Sequence, residues 1–346
     1  MKLTSLLERL YTKIYIVIIE DGGRITIAVE IYNGAKKIED ELESFESLKE
    51  ANVYVEDIIG ESPYFYIALL NTSQDQGAIP TCDKLKMRDF ADVSLTQSLC
   101  IDKKWTLYSS SGNLKELEKR HSSYGLDYIF SPFTILHDFF EDKIKEVMGL
   151  YVLIQDESLS IAVFSTEQLE FARHEITDAD AIALIEGSGI SDDSGFELDS
   201  HEEIESDIDL DDLGALDDLD ALDDIESLDD IEALDDIDSI ESFEDFTEES
   251  EEVSMEEPES KEESIEGFNL DFHRFTLIQE ALKTFYSDEV YRQAFVEAVF
   301  IADAVGVSGD LKSYLEEELF VTPIVRKIDL AQELLTLSKD EVMHAS

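Results

Sequence analysis

Basic side chains are scarce in this sequence: 26 Lys and Arg stand against 83 Asp and Glu in 346 residues, a formal net charge of -57. Neutralising a phosphate backbone takes a cationic surplus, so nucleic acid is not an expected partner. Anionic lipid headgroups would repel the chain for the same reason, which argues against direct membrane attachment. Cysteine is nearly absent. Cys82 and Cys100 are too few for a disulfide framework in a chain of this length, and neither lies in a CxxC or Cys/His cluster that would hold a metal. The expectation is a reducing, cytoplasmic compartment and no metal. No window approaches the ~18 apolar residues that cross a bilayer, and MKLTSLLERLYTK lacks the apolar stretch of a signal peptide. GxSxG, HExxH and GxxxxGK[ST] are all missing, and the histidines (His121, His137, His174, His201, His273, His344) are scattered singly. No catalytic residue is expected.

What is present is unevenly spread. From Glu186 to Glu266 there are 37 acidic side chains and one basic one, Lys261. Inside this stretch runs a hexad repeat, LDDLGA, LDDLDA, LDDIES, LDDIEA, LDDIDS, IESFED, with an apolar residue at every third position from Leu210 to Phe246. A step of three turns about 300° on an α-helix, so the stripe winds around the cylinder instead of forming one face. On a strand, an odd step sends successive apolar side chains to opposite faces. Neither element buries the repeat, and carboxylate repulsion adds to the backbone ordering cost of about 1–2 kcal/mol per residue. Disorder is the expectation for 181–267. Asp207, Asp209 and Asp211 alternate as in a calcium loop, but Asp212 occupies the position where the turn needs Gly. A solvating linker or a docking segment for a basic partner fits this composition better.

On either side the sequence reads as strands and helices. Lys13–Glu20 and Arg24–Tyr32 are β-branched and aromatic, and Asp21-Gly22-Gly23 between them supplies the turn of a hairpin. Helical spacing follows around Leu42, Phe45 and Leu48, then strand composition at Tyr64–Leu70. Asn113, with Glu116 three residues on, is expected to cap a short helix ending before Gly125. Ser131-Pro132 opens another, carried by Phe133, Leu136, Phe140, Ile144, Val147 and Met148 until Gly149. Strands are expected at Tyr151–Gln155, Leu159–Phe164, Leu169–Ile176 and Ala298–Ala302. Helices are expected near Phe275–Tyr286, at Asp310–Leu319 and after Asp329. The reading is one α/β body in two parts, 1–180 and 268–346, interrupted by the acidic insert 181–267.

The order of these elements resembles the actin-like inner-membrane platform proteins of type IV pilus and type II secretion systems, the PilM and cytoplasmic GspL type. The likeness covers about 1–180 and 268–346. It rests on the hairpins YIVIIEDGGRITIAVEI and YVLIQDESLSIAVFSTEQLEFARHEI, the unit WTLYSSSGNLKELEKRHSSYGLDYIFSPFTIL between them, and FVEAVFIADAVGVSGDLKSYLEEELFVTPIVRKID near the end. The resemblance implies a two-lobed actin-like (ribonuclease H-like) fold with nucleotide loops at Asp21-Gly22-Gly23, at Asp156-Glu157-Ser158, and at Ala302-Asp303 with Gly306.

Two of these loops depart from the pattern. Glu157 stands where a small residue is expected, and a second carboxylate about 4 Å from an anionic ligand costs about 4 kcal/mol at an effective dielectric near 20. Ala302-Asp303 replaces the glycine pair that lies against adenine in the family. The resemblance therefore implies a pseudo-ATPase, with weak Mg-ATP binding or none. Its cytoplasmic groove would take a short peptide of a bitopic inner-membrane protein, holding the chain peripheral to the membrane in a pilus, secretion or DNA-uptake (competence) machine. Leu3, Leu6, Leu7 and Leu10 form an apolar helical face for the body or a partner, and the acidic insert would steer a basic partner. The competing readings are an active actin-like ATPase and an acidic adaptor acting through its insert.

Overall fold

The structure, a computed structural model, describes residues 11–177, 261–292, 294–307 and 309–345, with side chains left out at 261–268 and at 345. Leu3, Leu6, Leu7, Leu10 and the hexad repeat lie outside the described residues.

The first repeat opens with an antiparallel meander, β1 (Lys13–Asp21), β2 (Arg24–Asn33) and β3 (Lys36–Phe45). Helix α1 (Leu48–Ile59) then returns the chain to β4 (Tyr64–Leu70), parallel to β1. A separate antiparallel sheet follows, made of β5 (Gln76–Ile79), β6 (Thr96–Ile101) and β7 (Trp105–Ser110) in the order β5-β7-β6. Helix α2 (Ser111–Arg120) leads to β8 (Tyr128–Phe130), parallel to β4, and then come the short helices α3 (Pro132–Phe139) and α4 (Glu141–Ile144). The second repeat has the same plan: the meander β9 (Gly149–Ile154), β10 (Ser158–Ser165) and β11 (Gln168–Ile176), then α5 (Lys261–Ser287), β12 (Ala298–Asp303), α6 (Gly309–Leu319), β13 (Ile324–Lys327) and α7 (Leu330–Ala345). The two five-stranded sheets have the orders β3-β2-β1-β4-β8 and β11-β10-β9-β12-β13, with matching strand directions. This duplicated meander-plus-parallel sheet is the two-lobed actin-like, ribonuclease H-like fold.

Burial explains the run-like strand sequences. β9 is buried along its whole length and β1 nearly so, because helices cover both faces of each sheet. Helix α1 sets Ala51 and Val55 against Ile14, Ile16 and Ile18, and α5 and α6 cover the outer face of the second sheet with Ile278, Phe285, Leu311 and Leu315. The core between the lobes is shared. Helix α7 lies on β1, β2 and β4, whereas α3 lies on β9 and β10, so each repeat's sheet is covered by the other repeat's closing helix. Tyr15, Val17, Phe140, Tyr151, Leu153 and Leu334 belong to that one cluster. An ionic clamp joins the same layers: buried Glu30 accepts from Lys339 Nζ at 2.8 Å and from Tyr32 Oη at 2.9 Å, and Lys37 Nζ lies 3.4 Å away.

Several local expectations are corrected. Leu42 and Phe45 belong to β3, not to a helix. The acidic strand is exposed on both faces, which hides its alternation, and the pairs Ala28↔Leu42 and Ile25↔Phe45 set its register. The helix expected from Ser131 to Gly149 breaks at Phe140 into α3 and α4. Ser110, not Asn113, caps α2, its hydroxyl accepting from Gly112 N at 3.2 Å, while Asn113 Nδ2 reaches Asp75 at 3.4 Å. The helix expected near Phe275–Tyr286 is longer, running as α5 over Lys261–Ser287. Cys82 and Cys100, read as too few for a disulfide framework and as the mark of a reducing compartment, form a disulfide with Cα atoms 5.5 Å apart, because the chain after β5 brings Cys82 beside Cys100 in β6.

Candidate functional site

The two meanders bring their first turns together. In the β1–β2 turn, Asp21 pairs with Arg24 across Gly22 and Gly23, whose φ values of +60° and +68° suit glycine. Gly22 also has to be small. A Cβ there would lie 3.0 Å from Asp156 Oδ2. In the β9–β10 turn, closed by Gln155 N donating to Ser158 O at 3.0 Å, neither Asp156 nor Glu157 has a positive φ. The N–H groups of Asp156 and Glu157 point across the lobes to one carboxylate: Asp156 N to Asp21 Oδ2 at 2.8 Å and Glu157 N to Asp21 Oδ1 at 3.0 Å. Burial pushes the Asp21 carboxyl up, the two N–H bonds pull it down, and the nearby Asp156 and Glu157 charges push it up again, leaving it above its ordinary value.

The third loop is closed in the same manner. Asp303, 5% exposed, turns back so that Oδ1 accepts from Val305 N (3.1 Å) and Gly306 N (2.7 Å) while Oδ2 accepts from Val307 N (3.0 Å). Gly306 has φ +85°. Ala302 is not in the loop: it lies inside β12 with no exposed surface. Ser158 likewise belongs to β10, and its Oγ, with both side-chain polar atoms of Gln155 and Nε of Arg274, is buried without a hydrogen-bond partner among the described residues. Beneath them Arg274 pairs with Asp271 at 3.1 Å, both buried.

Backbone N–H groups in such turns are where a phosphate would bind, and here those of Asp156, Glu157, Val305, Gly306 and Val307 are already held by carboxylates of the chain. A cleft of about 400 Å³ beside the loops is faced by Asp21, Asp156 and Asp329, with Arg24 as the one cation among the described residues that line it. On the other side of the bridge, a cavity of about 390 Å³ is faced by Glu20, Glu157 and Arg120. Burial pushes Glu20 up, but the His121 bond (3.1 Å) and the Arg120 charge (2.6 Å) outweigh it and hold the carboxyl below its ordinary value. The N–H groups of the second and third turns thus face carboxylates of the chain itself, and carboxylates outnumber cations around them, which is a poor setting for a nucleotide triphosphate.

A different groove, about 430 Å³, runs between the small sheet, α2 and β8. Leu99, Leu107, Leu114 and Ile129 supply its apolar surface, with Glu118 and Asp127 as its charges. Its polar wall is held by Asn71 Nδ2 to Ser109 Oγ (3.1 Å) and Gln76 Nε2 to Asn71 O (2.6 Å). Both β6 and β8 are sheet-edge strands here. Apart from Leu114, legible as an apolar position of a short helix, these residues did not stand out in the sequence, because they come from five separate segments, each with ordinary composition. Among the described residues no cluster of His, Cys, Asp and Glu could hold a metal, and no helix is long and apolar enough to cross a membrane.

Two family models match the chain: one described as "Domain of unknown function (DUF8341)" over residues 150–343, the other as "Domain of unknown function (DUF8569)" over residues 11–137. They divide the chain where the first repeat gives way to the second. No curated protein matches. Among solved structures, a PilM-PilN type IV pilus biogenesis complex is similar at 9% identity, covering 94% of this chain and 98% of that one with a TM-score of 0.47. The ethanolamine utilization protein EutJ from Carboxydothermus hydrogenoformans has 9% identity, 94% and 89% coverage and a TM-score of 0.42. The cytoplasmic domain of EpsL, an inner membrane component of the type II secretion system of Vibrio cholerae, has 12% identity, 53% and 79% coverage and a TM-score of 0.30.

Proposed function

The chain belongs to the family described as "Domain of unknown function (DUF8341)", and we propose that it is a docking platform built on an actin-like body, a pseudo-ATPase that works by holding a peptide. The observation that carries this is the pair of bonds from Asp156 N and Glu157 N to the Asp21 carboxylate. A group that is part of the chain occupies the anchoring position, so a nucleotide would have to displace a preorganised, covalently tethered competitor. The groove between β6, α2 and β8 stays open instead. Its apolar floor and two sheet edges suit an extended segment with apolar side chains at alternate positions, and Glu118 with Asp127 favours a cationic residue in it.

The sequence resemblance supplies the setting: a pilus-like, secretion or DNA-uptake machine, with the peptide coming from the cytoplasmic tail of a bitopic inner-membrane protein. The platform is then cytoplasmic and peripheral to the membrane through that partner, and the acidic segment steers basic partners to it. Two measurements test the reading. Equilibrium dialysis with Mg-ATP is expected to show no binding at micromolar concentrations. In fractionated host cells the protein is expected to sediment with membranes, and Leu99→Glu, on an exposed residue of the groove, should move it to the soluble fraction without lowering Tm. Micromolar ATP binding would sink the pseudo-ATPase reading, and a membrane fraction unchanged by Leu99→Glu would sink the groove.

A further inference from the structure

The chain's two cysteines meet in the small sheet, where their bond closes a segment that has little else to hold it. Cys82 follows β5 and Cys100 lies in β6, two strands that flank β7 without pairing with each other. Between Asp83 and Ser94 the chain makes one 3₁₀ turn, Lys86–Asp89. Among the described residues, the hydrogen bonds of this segment reach no farther than four positions along the sequence. Met87 N donates to Asp83 O at 3.0 Å and Ala91 N to Met87 O at 3.1 Å, while Leu85 N meets Asp83 Oδ1 at 2.9 Å and Ser94 N meets Asp92 Oδ1 at 3.0 Å. A cavity of about 570 Å³ borders the segment, and every described residue that lines it, from Lys84 to Ser98, lies between the two cysteines. The segment thus curves around a cavity instead of packing down on the sheet. Met87, the one buried side chain of 83–94, and the Phe90–Tyr291 ring contact, with centroids 5.7 Å apart, tie it to the body beside the disulfide.

The same segment runs directly into a wall of the groove. Gln97, Ser98 and Leu99 of β6 line it, Cys100 is the next residue, and β6 pairs with β7 alone. The disulfide therefore restrains an edge strand that is exposed along most of its length. Cys100 is exposed and Cys82 half-buried, so a thiolate can approach the bond from solvent, and accessible disulfides are the ones that exchange. In a cytoplasmic protein a disulfide is characteristically transient and redox-sensing. On the reading of the groove as a cytoplasmic peptide site, we propose that Cys82–Cys100 is a redox switch for that groove. Closed, it fixes β6 and Leu99 against the peptide; opened by a dithiol reductant, it frees residues 83–99 and weakens the hold. The reaction is thiol–disulfide exchange. One thiolate of the dithiol attacks Cys100 Sγ, the bond between the cysteines breaks, and Cys82 leaves as a thiolate that takes up a proton. The second thiolate then attacks the dithiol's own sulfur in the mixed disulfide and expels Cys100, which takes up the other proton. The dithiol loses two electrons and two protons, the protein gains both, and an oxidised dithiol runs the exchange backwards.

Reduction of the folded full-length protein in mixtures of reduced and oxidised dithiothreitol tests this. Alkylation followed by mass measurement counts the thiols, and hydrogen exchange follows β6. Fluorescence follows Trp105, the chain's one tryptophan, which pairs with Ile101 and has its carbonyl oxygen 3.2 Å from Cys82 Sγ. The bond is expected to open without denaturant and Trp105 emission to change in step with it. Amides of residues 83–101 should then exchange at least about tenfold faster, and those of buried β9 less than about twofold faster. Cys82→Ser with Cys100→Ser should show the faster exchange at once and respond no further to dithiothreitol; the wild-type reduction keeps the test independent of how well this variant folds. In host cells, alkylation trapping should find both forms, with the balance moving to the disulfide after the oxidant diamide. A bond that opens only in denaturant overturns the proposal, as does β6 exchange that merely keeps pace with β9, or a single form in cells before and after diamide. The link to the groove is read in membrane fractions, where the serine pair should lower the bound share by at least about half. If Leu99→Glu releases the protein and the serine pair does not, the switch is overturned while the groove stands. If neither releases it, the groove assignment fails and takes the switch with it.

Discussion

The two repeats share a strand order but differ at the corner where they meet. The β1–β2 turn has two glycines at positive φ and contributes a side chain, Asp21; the β9–β10 turn has ordinary backbone angles and contributes two N–H groups. One half is the ligand of the other. The repeats also accept extra sequence at different points: the first between β4 and α2, where the small sheet grew, and the second between β11 and α5, where the acidic segment lies. Two copies of one plan have thus diverged into a half that offers grooves and a half that carries charge.

The largest expected effect concerns what joins the halves. Lys339→Met removes the main counter-charge of Glu30, whose side chain is 3% exposed, leaving Lys37 and Tyr32. Stranding a buried carboxylate in this way should cost about 3 kcal/mol in urea unfolding, and a loss under 1 kcal/mol would show that the clamp is incidental. Next comes the turn-to-turn contact. Asp21→Ala forfeits two N–H bonds to a carboxylate and should cost about 2 kcal/mol, while Asp156→Ala removes a side chain beside Asp21 and should leave stability unchanged or slightly raised. Equal costs for the two would contradict the division of roles between the turns.

A smaller effect is pH-dependent. Burial first, then the charge and hydrogen bond of Asp138, push Glu333 up to about 7, so α7 and α3 meet through a pair of carboxyl groups. A folded-state pKa above the unfolded one gives a contribution that is complete below the unfolded value and lost as pH rises through the folded value. Stability should therefore decline from about pH 4.5 to pH 7 on account of this pair. Glu333→Gln should flatten that slope and raise stability at pH 8 by about 1 kcal/mol, after allowance for solvent screening at a half-exposed site. The smallest effect compares turns. Thr166 and Glu167, at φ +50° and +62°, adopt without glycine the angles that Gly22 and Gly23 adopt in the first half. Thr166→Gly should gain about 0.5 kcal/mol by removing a β-branched residue from the left-handed region, leaving the Glu167–Lys104 pair intact. A loss would mean that this turn is supported by contacts beyond its own backbone.

Much of the fold was legible. Strands covered on both faces, such as β1, β4 and β9, write themselves as unbroken apolar runs, and α6 and α7 begin close to where their sequence starts suggest. β3 was not legible, because an exposed acidic edge strand has no buried face to impose a period of two. Of the small sheet, β7 falls in the strand–helix unit that begins at Trp105, but β5 has only four residues and β6 is exposed along most of its length, so neither carries a buried run. Of the candidate site, Asp21, Asp156, Glu157 and Asp303 were visible as residues; their mutual bonds were not. The groove facing Leu99, Leu107 and Ile129 left no trace in any single segment.

Composition and periodicity alone sufficed for the anionic character, the split into two α/β stretches around a charged segment, and the positions of the buried strands, since burial and local backbone preference act on neighbours in the chain. Which donor meets which acceptor depended on assembly. Asp21 and Glu157 are 136 residues apart, and nothing local to either one says whether those N–H groups will meet a phosphate or a carboxylate of the same chain.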